Sequence, residues 1–402
     1  MPDTLDSLNR LFAAILPANA FYQRKLGDLP SFNSIAEFSA SVPFTTKEEL
    51  AADHEEHPPY GSTHSFPLAS YHRFHQTSGT RGKPLIWLDD PAGWSWILDN
   101  WEWVWRGAGV AAGDTAFFPF SFGPFLGFWA GFEAATRMGI RAVPGGGLSS
   151  EDRLHLLQRS QSTVLCCTPT YALRLAEVGG KIGLPVASLG VTTIIVCGEP
   201  GGSIPAVRAR IETAWGARVF DHHGMTEVGP VSVSSASDPD LLLLRHESYF
   251  AEVIDPASGR PAADGESGEL VLTTLGRHGS PLVRYRTGDL VQPVPHGDRF
   301  ALKGGILART DDMVVVRGIN IHPSSIDAVV RSIDGIAEYQ VEIDQRSALT
   351  ELALQVEAPD ELAAALAQKL RSTFSLRIPV TPVAPGSLPA FEVKAKRWNI
   401  LR

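Results

Sequence analysis

The chain has 402 residues, enough for more than one hydrophobic core, and its 44% hydrophobic and 20% charged composition is that of a globular protein. A formal charge of −9 with no basic stripe to offset it speaks against nonspecific binding to nucleic acid or to an anionic membrane. The three cysteines, Cys166, Cys167 and Cys197, lack zinc-ligand spacing, and an adjacent pair is a poor disulfide candidate, so they read as reduced core residues of a cytoplasmic protein.

The opening Met-Pro-Asp-Thr-Leu-Asp has no basic and apolar leader, and no apolar run reaches spanning length. Residues 4–26 place Leu5, Leu8, Leu11, Phe12 and Ile15 at helical spacing. Thr46 before Lys47-Glu48-Glu49 predicts a capped helix start; Lys47 is either a solvated helix-end lysine or a cation facing a bound phosphate. Residues 85–88 predict a buried strand, and residues 91–108, with five tryptophans, an amphipathic helix. Residues 117–132 alternate aromatics with glycines, which suits either a flat apolar cavity or plain helix packing of Phe125, Phe128 and Phe132.

From 139 to 230, short β-rich runs (140–143, 163–167, 192–197, 217–221) alternate with helical segments such as 150–159 and 204–215. That alternation predicts an α/β fold with a mostly parallel sheet, whose ligands sit beyond the strands' carboxyl ends. Two such ends are polar and glycine-rich: Gly198-Glu199-Pro200 and Asp221-His222-His223-Gly224-Met225-Thr226-Glu227. Past 245, runs at 250–254, 269–273, 282–285 and 291–293 predict a small antiparallel sheet or distorted barrel. The polar stretch 308–312 divides a large domain, 1–310, from a small α+β domain, 311–402, with helices at 324–332 and 361–374 and strands at 338–343 and 352–356.

The segment 77–84, Thr-Ser-Gly-Thr-Arg-Gly-Lys-Pro, brings the hydroxyls of Thr77, Ser78 and Thr80 next to Gly79 and Gly82. Such a loop can wrap a polyphosphate, with Lys83 adding charge; taken alone it is equally a polar surface turn. It is not a Walker loop, because only two residues separate its glycines and Pro84 follows the lysine.

Phe21-Tyr22, residues 43–47 and 77–84, Gly198-Glu199-Pro200, residues 224–227 and 285–290, residues 309–323 and Lys394–Arg397 follow one another in an order that resembles the adenylate-forming superfamily of acyl-CoA synthetases, peptide-synthetase adenylation domains and luciferases, and within it the phenylacetate–CoA ligase branch. The resemblance implies that ATP activates an aromatic carboxylic acid, of benzoate or arylacetate type, as an acyl-adenylate with release of pyrophosphate. It implies transfer next to CoA, or alternatively to an amine, hydroxyl or carrier protein. A non-catalytic nucleotide-binding protein is a third reading.

By the same resemblance Lys394 is the catalytic lysine, with Thr226 and Glu227 in the catalytic turn and Glu227 holding Mg²⁺. Residues Thr77, Ser78, Gly79, Thr80, Gly82, Lys83, Gly198, Glu199, Pro200, Asp221, Thr226, Asp289 and Arg309 are implied to bind the nucleotide, Asp289 through the ribose hydroxyls. Phe122, Gly123, Trp129, His222, His223 and Gly224 would form the acyl pocket, Asp311 the hinge on which a mobile small domain turns, and Gly318 the passage for the thiol arm. A homodimer is a further expectation. The chain departs from the family pattern at Val393, Ala308 and His223, where glycine, glycine and tyrosine are usual.

Overall fold

A computed structural model describes residues 4–27, 31–77, 84–263, 265–310, 312, 314–316, 319–344, 346, 350–389 and 397–401. Its centre is a nine-stranded sheet in the order Pro293–His296, Arg299–Lys303, Leu241–Leu244, Gly229–Ser234, Arg218–Met225, Thr193–Val196, Val164–Cys167, Thr115–Phe118, Arg141–Pro144. The strands from Arg141–Pro144 to Arg218–Met225 pair in parallel, and the rest antiparallel. The strand Arg218–Met225 makes the change itself. Its first half pairs parallel with Thr193–Val196, and its second half pairs antiparallel with Gly229–Ser234 through a bulge between His223 and Gly224.

Strand alternation sends successive residues into two apolar layers. Ala116, Phe118, Val164, Cys166, Ile195 and Phe220 pack under the helices Pro91–Gly107 and Leu126–Arg137. Phe117, Leu165, Cys167, Ile194, Val196 and Val219 pack under Ser150–Arg159, Pro169–Lys181 and Pro205–Trp215. Both faces of the sheet are therefore covered, as a parallel sheet requires. The three cysteines are buried and free.

The N-terminal helices Thr4–Ile15 and Ala20–Leu26 share a third core with a four-stranded antiparallel sheet, Tyr249–Ile254, Gly268–Thr274, Tyr285–Val291 and Ala308–Arg309. Here the structure differs from the expectation for 282–285. Residues 282–284 lie outside the strand, and Arg284 takes φ 44°. Its guanidinium donates to the carbonyls of Ser39 and Val42, and pairs with Glu252 at 2.8 Å. Those tertiary bonds outweigh the local β preference. The expected run at 291–293 is likewise split, and the hairpin Pro293–Lys303 extends the large sheet rather than the small one.

A fourth core draws only on residues 314–398, with strands Tyr339–Asp344 and Glu351–Glu357 central and helices Pro323–Arg331 and Asp360–Phe374 packed on them. No helix among the described residues is long and apolar enough to cross a membrane.

Candidate active site

Two polar strand ends and one carboxylate from the small sheet meet where the large sheet changes from parallel to antiparallel. Asp289 lies in register opposite Arg309, whose Nη1 donates to Asp289 Oδ1 at 2.8 Å. From the large sheet, His223 Nε2 donates to Asp289 Oδ2 at 2.9 Å. Burial of Asp289, only 3% exposed, would raise its pKa, but the His223 hydrogen bond and the Arg309 charge hold it below the usual carboxylate range. Gly288 takes φ 76°, where any other residue is strained, and a Cβ there would also press on Arg309 Nη2 at 2.7 Å.

Asp221, two residues before His223 on the same strand, receives the Ser203 hydroxyl at 2.5 Å, and burial pushes its pKa up. Gly202 lets the backbone close over it, since a Cβ there would meet Asp221 Cβ at 2.7 Å. Glu199 accepts from the Thr170 N–H at 2.9 Å and so fastens the Gly198-Glu199-Pro200 turn to the first turn of the helix Pro169–Lys181. Gly198 takes φ 89°, and Pro200 is exposed.

Glu227, 5% exposed, faces Lys47 with Oε1 and Nζ 3.3 Å apart. Lys47 opens the helix Lys47–Glu56, which Thr46 and Glu49 close in a reciprocal capping box. The turn Thr226-Glu227 is held by Arg277, whose Nη1 donates to both carbonyls at 3.2 and 2.8 Å. The rest of that guanidinium grips both oxygens of Asp89 at 2.7 Å. Asp89 ends the strand Ile86–Asp89, which follows the segment 77–84. Sequence reasoning missed Arg277 and Asp89, because neither stands in a patterned motif and 188 positions separate them.

Thr77, the described residue before the segment 78–83, is buried and bonded across it to Leu85. Its N–H donates to the Leu85 carbonyl at 2.9 Å, and its hydroxyl accepts from the Leu85 N–H at 3.0 Å. Ser78, Gly79, Thr80, Gly82, Lys83, Asp311, Gly318 and Lys394 lie outside the described residues. Among the described residues on either side of 390–396, the Leu388 N–H donates to Glu357 at 2.7 Å, and Arg397 pairs with Glu338 at 2.6 Å.

The two adjacent histidines part company. His222 points into the core, its Nδ1–H on the Ser232 carbonyl at 2.7 Å and its ring 4.3 Å from that of Trp101, and burial lowers its pKa to about 4. The structure therefore does not bring it to His223 and Asp289. Phe122 packs against Trp129 at 4.8 Å and Phe132 at 5.2 Å, and Trp129 Nε1 donates to the Gly123 carbonyl at 2.9 Å. Gly224 permits the bulge, since a Cβ would lie 2.8 Å from the Gly229 oxygen.

Magnesium suits this donor set: one buried carboxylate, Glu227, with the remaining ligands left to phosphate oxygens and water. No cluster of three or more His, Cys, Asp or Glu able to hold a metal alone occurs among the described residues.

Residues 74–276 match the AMP-binding enzyme family and residues 318–400 its AMP-binding enzyme C-terminal domain. The chain is 29% identical over 400 residues to a phenylacetate-coenzyme A ligase of Escherichia coli K12, covering 94% of this chain and 86% of the relative. Its structure superposes on a 2-hydroxyisobutyryl-CoA ligase in the postadenylation state, bound to R3-HIB-AMP, with a TM-score of 0.93, 30% identity and coverage of 99% and 89%. Against the same ligase with 2-HIB-AMP and CoA in the thioesterification state the TM-score is 0.74, at 30% identity and coverage of 99% and 88%. With its two family domains matched in order, this chain belongs to the AMP-binding enzymes and is an adenylate-forming ligase.

Proposed function

We propose that the protein joins an aromatic carboxylic acid to CoA in two steps, by way of an acyl-adenylate. The buried, ionised Asp289 held between His223 and Arg309 carries this reading, because a two-oxygen acceptor of that kind suits the paired hydroxyls of a ribose. The first step must bring a carboxylate to the α-phosphorus of ATP, so cations are needed where the two anions meet. Lys47, half-exposed beside Glu227, is one such cation. On the resemblance, Lys394 is a second. Magnesium, held by Glu227, would neutralise phosphate charge as pyrophosphate leaves. Asp221, Ser203 and the Gly198-Glu199-Pro200 turn support an adenine on the far side of the ribose. Asp311 serves as the hinge that turns the small domain, 311–402, between the steps.

The likeness to a phenylacetate-coenzyme A ligase and the Phe122–Trp129 aromatic pair support an aryl acid. A small hydroxylated acid is a second reading, supported by the 0.93 TM-score to the 2-hydroxyisobutyryl-CoA ligase. The deciding experiment is acid-dependent exchange of pyrophosphate into ATP over benzoates, arylacetates and 2-hydroxyisobutyrate, followed by product analysis with and without CoA. Exchange without any CoA thioester would move the acceptor to an amine, hydroxyl or carrier protein. Absence of exchange with every acid would reject adenylation of these classes.

A further inference from the structure

The ribose reading of Asp289 leaves His223 unexplained. A carboxylate has about four acceptor positions on its two oxygens. Arg309 fills one on Oδ1 and His223 one on Oδ2, so each oxygen keeps a second acceptor position. Each donor thus fixes the orientation of one oxygen, and neither blocks it. The two anchors come from different sheets: Arg309 from the neighbouring strand of the small sheet, His223 from the edge of the parallel array.

Local backbone serves this contact. The bulge falls directly after His223, and bulges re-aim side chains beside active sites. His222 shows the alternative fate, facing the core. Because His223 Nε2 lies against a carboxylate, Nε2 carries the proton. Its Nδ1 is buried and has no hydrogen-bond partner among the described residues.

We infer that His223 is a positioning residue for nucleotide recognition, orienting Asp289 so that both ribose hydroxyls are read at once. This rests on the ribose reading of Asp289. A phenylalanine at 223 would keep an aromatic ring and remove the N–H, leaving Oδ2 free to turn. A glutamine carries an N–H at about the reach of Nε2, whereas the shorter asparagine falls short of Asp289.

The test is calorimetric binding of AMP and of 2′,3′-dideoxy-AMP to the full-length protein and to His223→Phe, His223→Gln and His223→Asn. The wild type is expected to prefer AMP at least tenfold, the scale of hydrogen bonds to a charged group. His223→Phe and His223→Asn should lose about tenfold for AMP and almost nothing for the dideoxy nucleotide, while His223→Gln keeps most of the preference. A purely structural role would weaken both nucleotides together. If the wild type does not distinguish the two nucleotides, the ribose reading fails, and this inference with it. If the wild type distinguishes them and His223→Phe and His223→Asn do so equally well, Asp289 keeps its role and the inference about His223 alone is overturned. The Gln–Asn pair carries the same decision should His223→Phe fail to fold.

Discussion

Arg277 and Asp89 form a fully buried, two-point ion pair, and the same guanidinium carries the carbonyls of the Thr226-Glu227 turn. One side chain therefore couples the strand Ile86–Asp89 to the turn that presents Glu227. Replacing Arg277 by Met would leave the Asp89 carboxylate, 1% exposed, with His75 Nδ1 at 3.9 Å in place of its two-point partner, and would free two carbonyls. The expected loss is about 3–5 kcal/mol of stability, as for other broken buried pairs. Urea unfolding measures it, and an unchanged midpoint would show that the pair is not holding the fold.

Glu227→Gln keeps the shape of the turn and removes the charge that Lys47 faces and that magnesium would use. The magnesium concentration for half-maximal pyrophosphate exchange should rise by about tenfold, since a charge-assisted contact becomes a neutral one. Melting should be nearly unchanged, because Arg277 grips the backbone of that turn rather than the Glu227 side chain. Metal dependence identical to the wild type would remove Glu227 from the metal site.

His222 predicts a pH effect on stability. Its folded pKa, about 4, lies below the ordinary histidine value of 6.5, and burial against Trp101 is the main cause. Between those two values the unfolded chain binds the proton and the folded chain does not. This group's contribution is therefore complete above pH 6.5 and declines as the pH falls toward 4, by roughly 3 kcal/mol in all. Denaturant midpoints of wild type and His222→Phe, taken at pH 7 and pH 5, check it. The wild type should lose more between the two, and parallel losses would assign the slope to other groups.

Much of this site was legible because its parts lie at strand ends marked by local chemistry. Gly198-Glu199-Pro200 and Asp221 follow apolar runs, and the structure places both at the carboxyl edge of the parallel sheet. The helix Ser150–Arg159 was expected from the strand–helix alternation, and the structure adds its acidic first turn and the Ser149 cap. What escaped was non-local. Neither Arg284 with its carbonyls nor Arg277 with Asp89 leaves a periodic trace, since their partners are far away in sequence. The separation of His222 from His223 follows from strand alternation, but only once the strand Arg218–Met225 is known to continue past Asp221.

Lys394→Ala should cut adenylation by about 10²–10³ while sparing transfer from a supplied acyl-adenylate, because one positioned charge of this kind contributes a few kcal/mol to the step it faces. Single-turnover measurement of each half-reaction separates the two effects. Equal losses in both would reject the assignment.

The last prediction concerns the acid. Phe122 is half-buried and packs against Trp129 and Phe132, with the buried Phe118 and Phe120 on its core side, so the aromatic surface left open is that of Phe122, Trp129 and Phe132. A flat ring can lie on such a surface with little loss of freedom, whereas a flexible alkyl chain gives up rotamer entropy to do so. Benzoate-type acids should accordingly be activated ahead of octanoate. Phe122→Ala opens space beside Trp129 and Phe132, which admits a bulkier ring. Since one methylene in an apolar pocket discriminates by about 10–200-fold, the ratio of kcat/KM between a bulky and a compact aryl acid should shift at least tenfold. Pyrophosphate exchange across the acid panel, run on both proteins, reads this directly. A wild type that prefers octanoate, or a Phe122→Ala variant with an unaltered acid ranking, would place the acyl group somewhere other than against this wall.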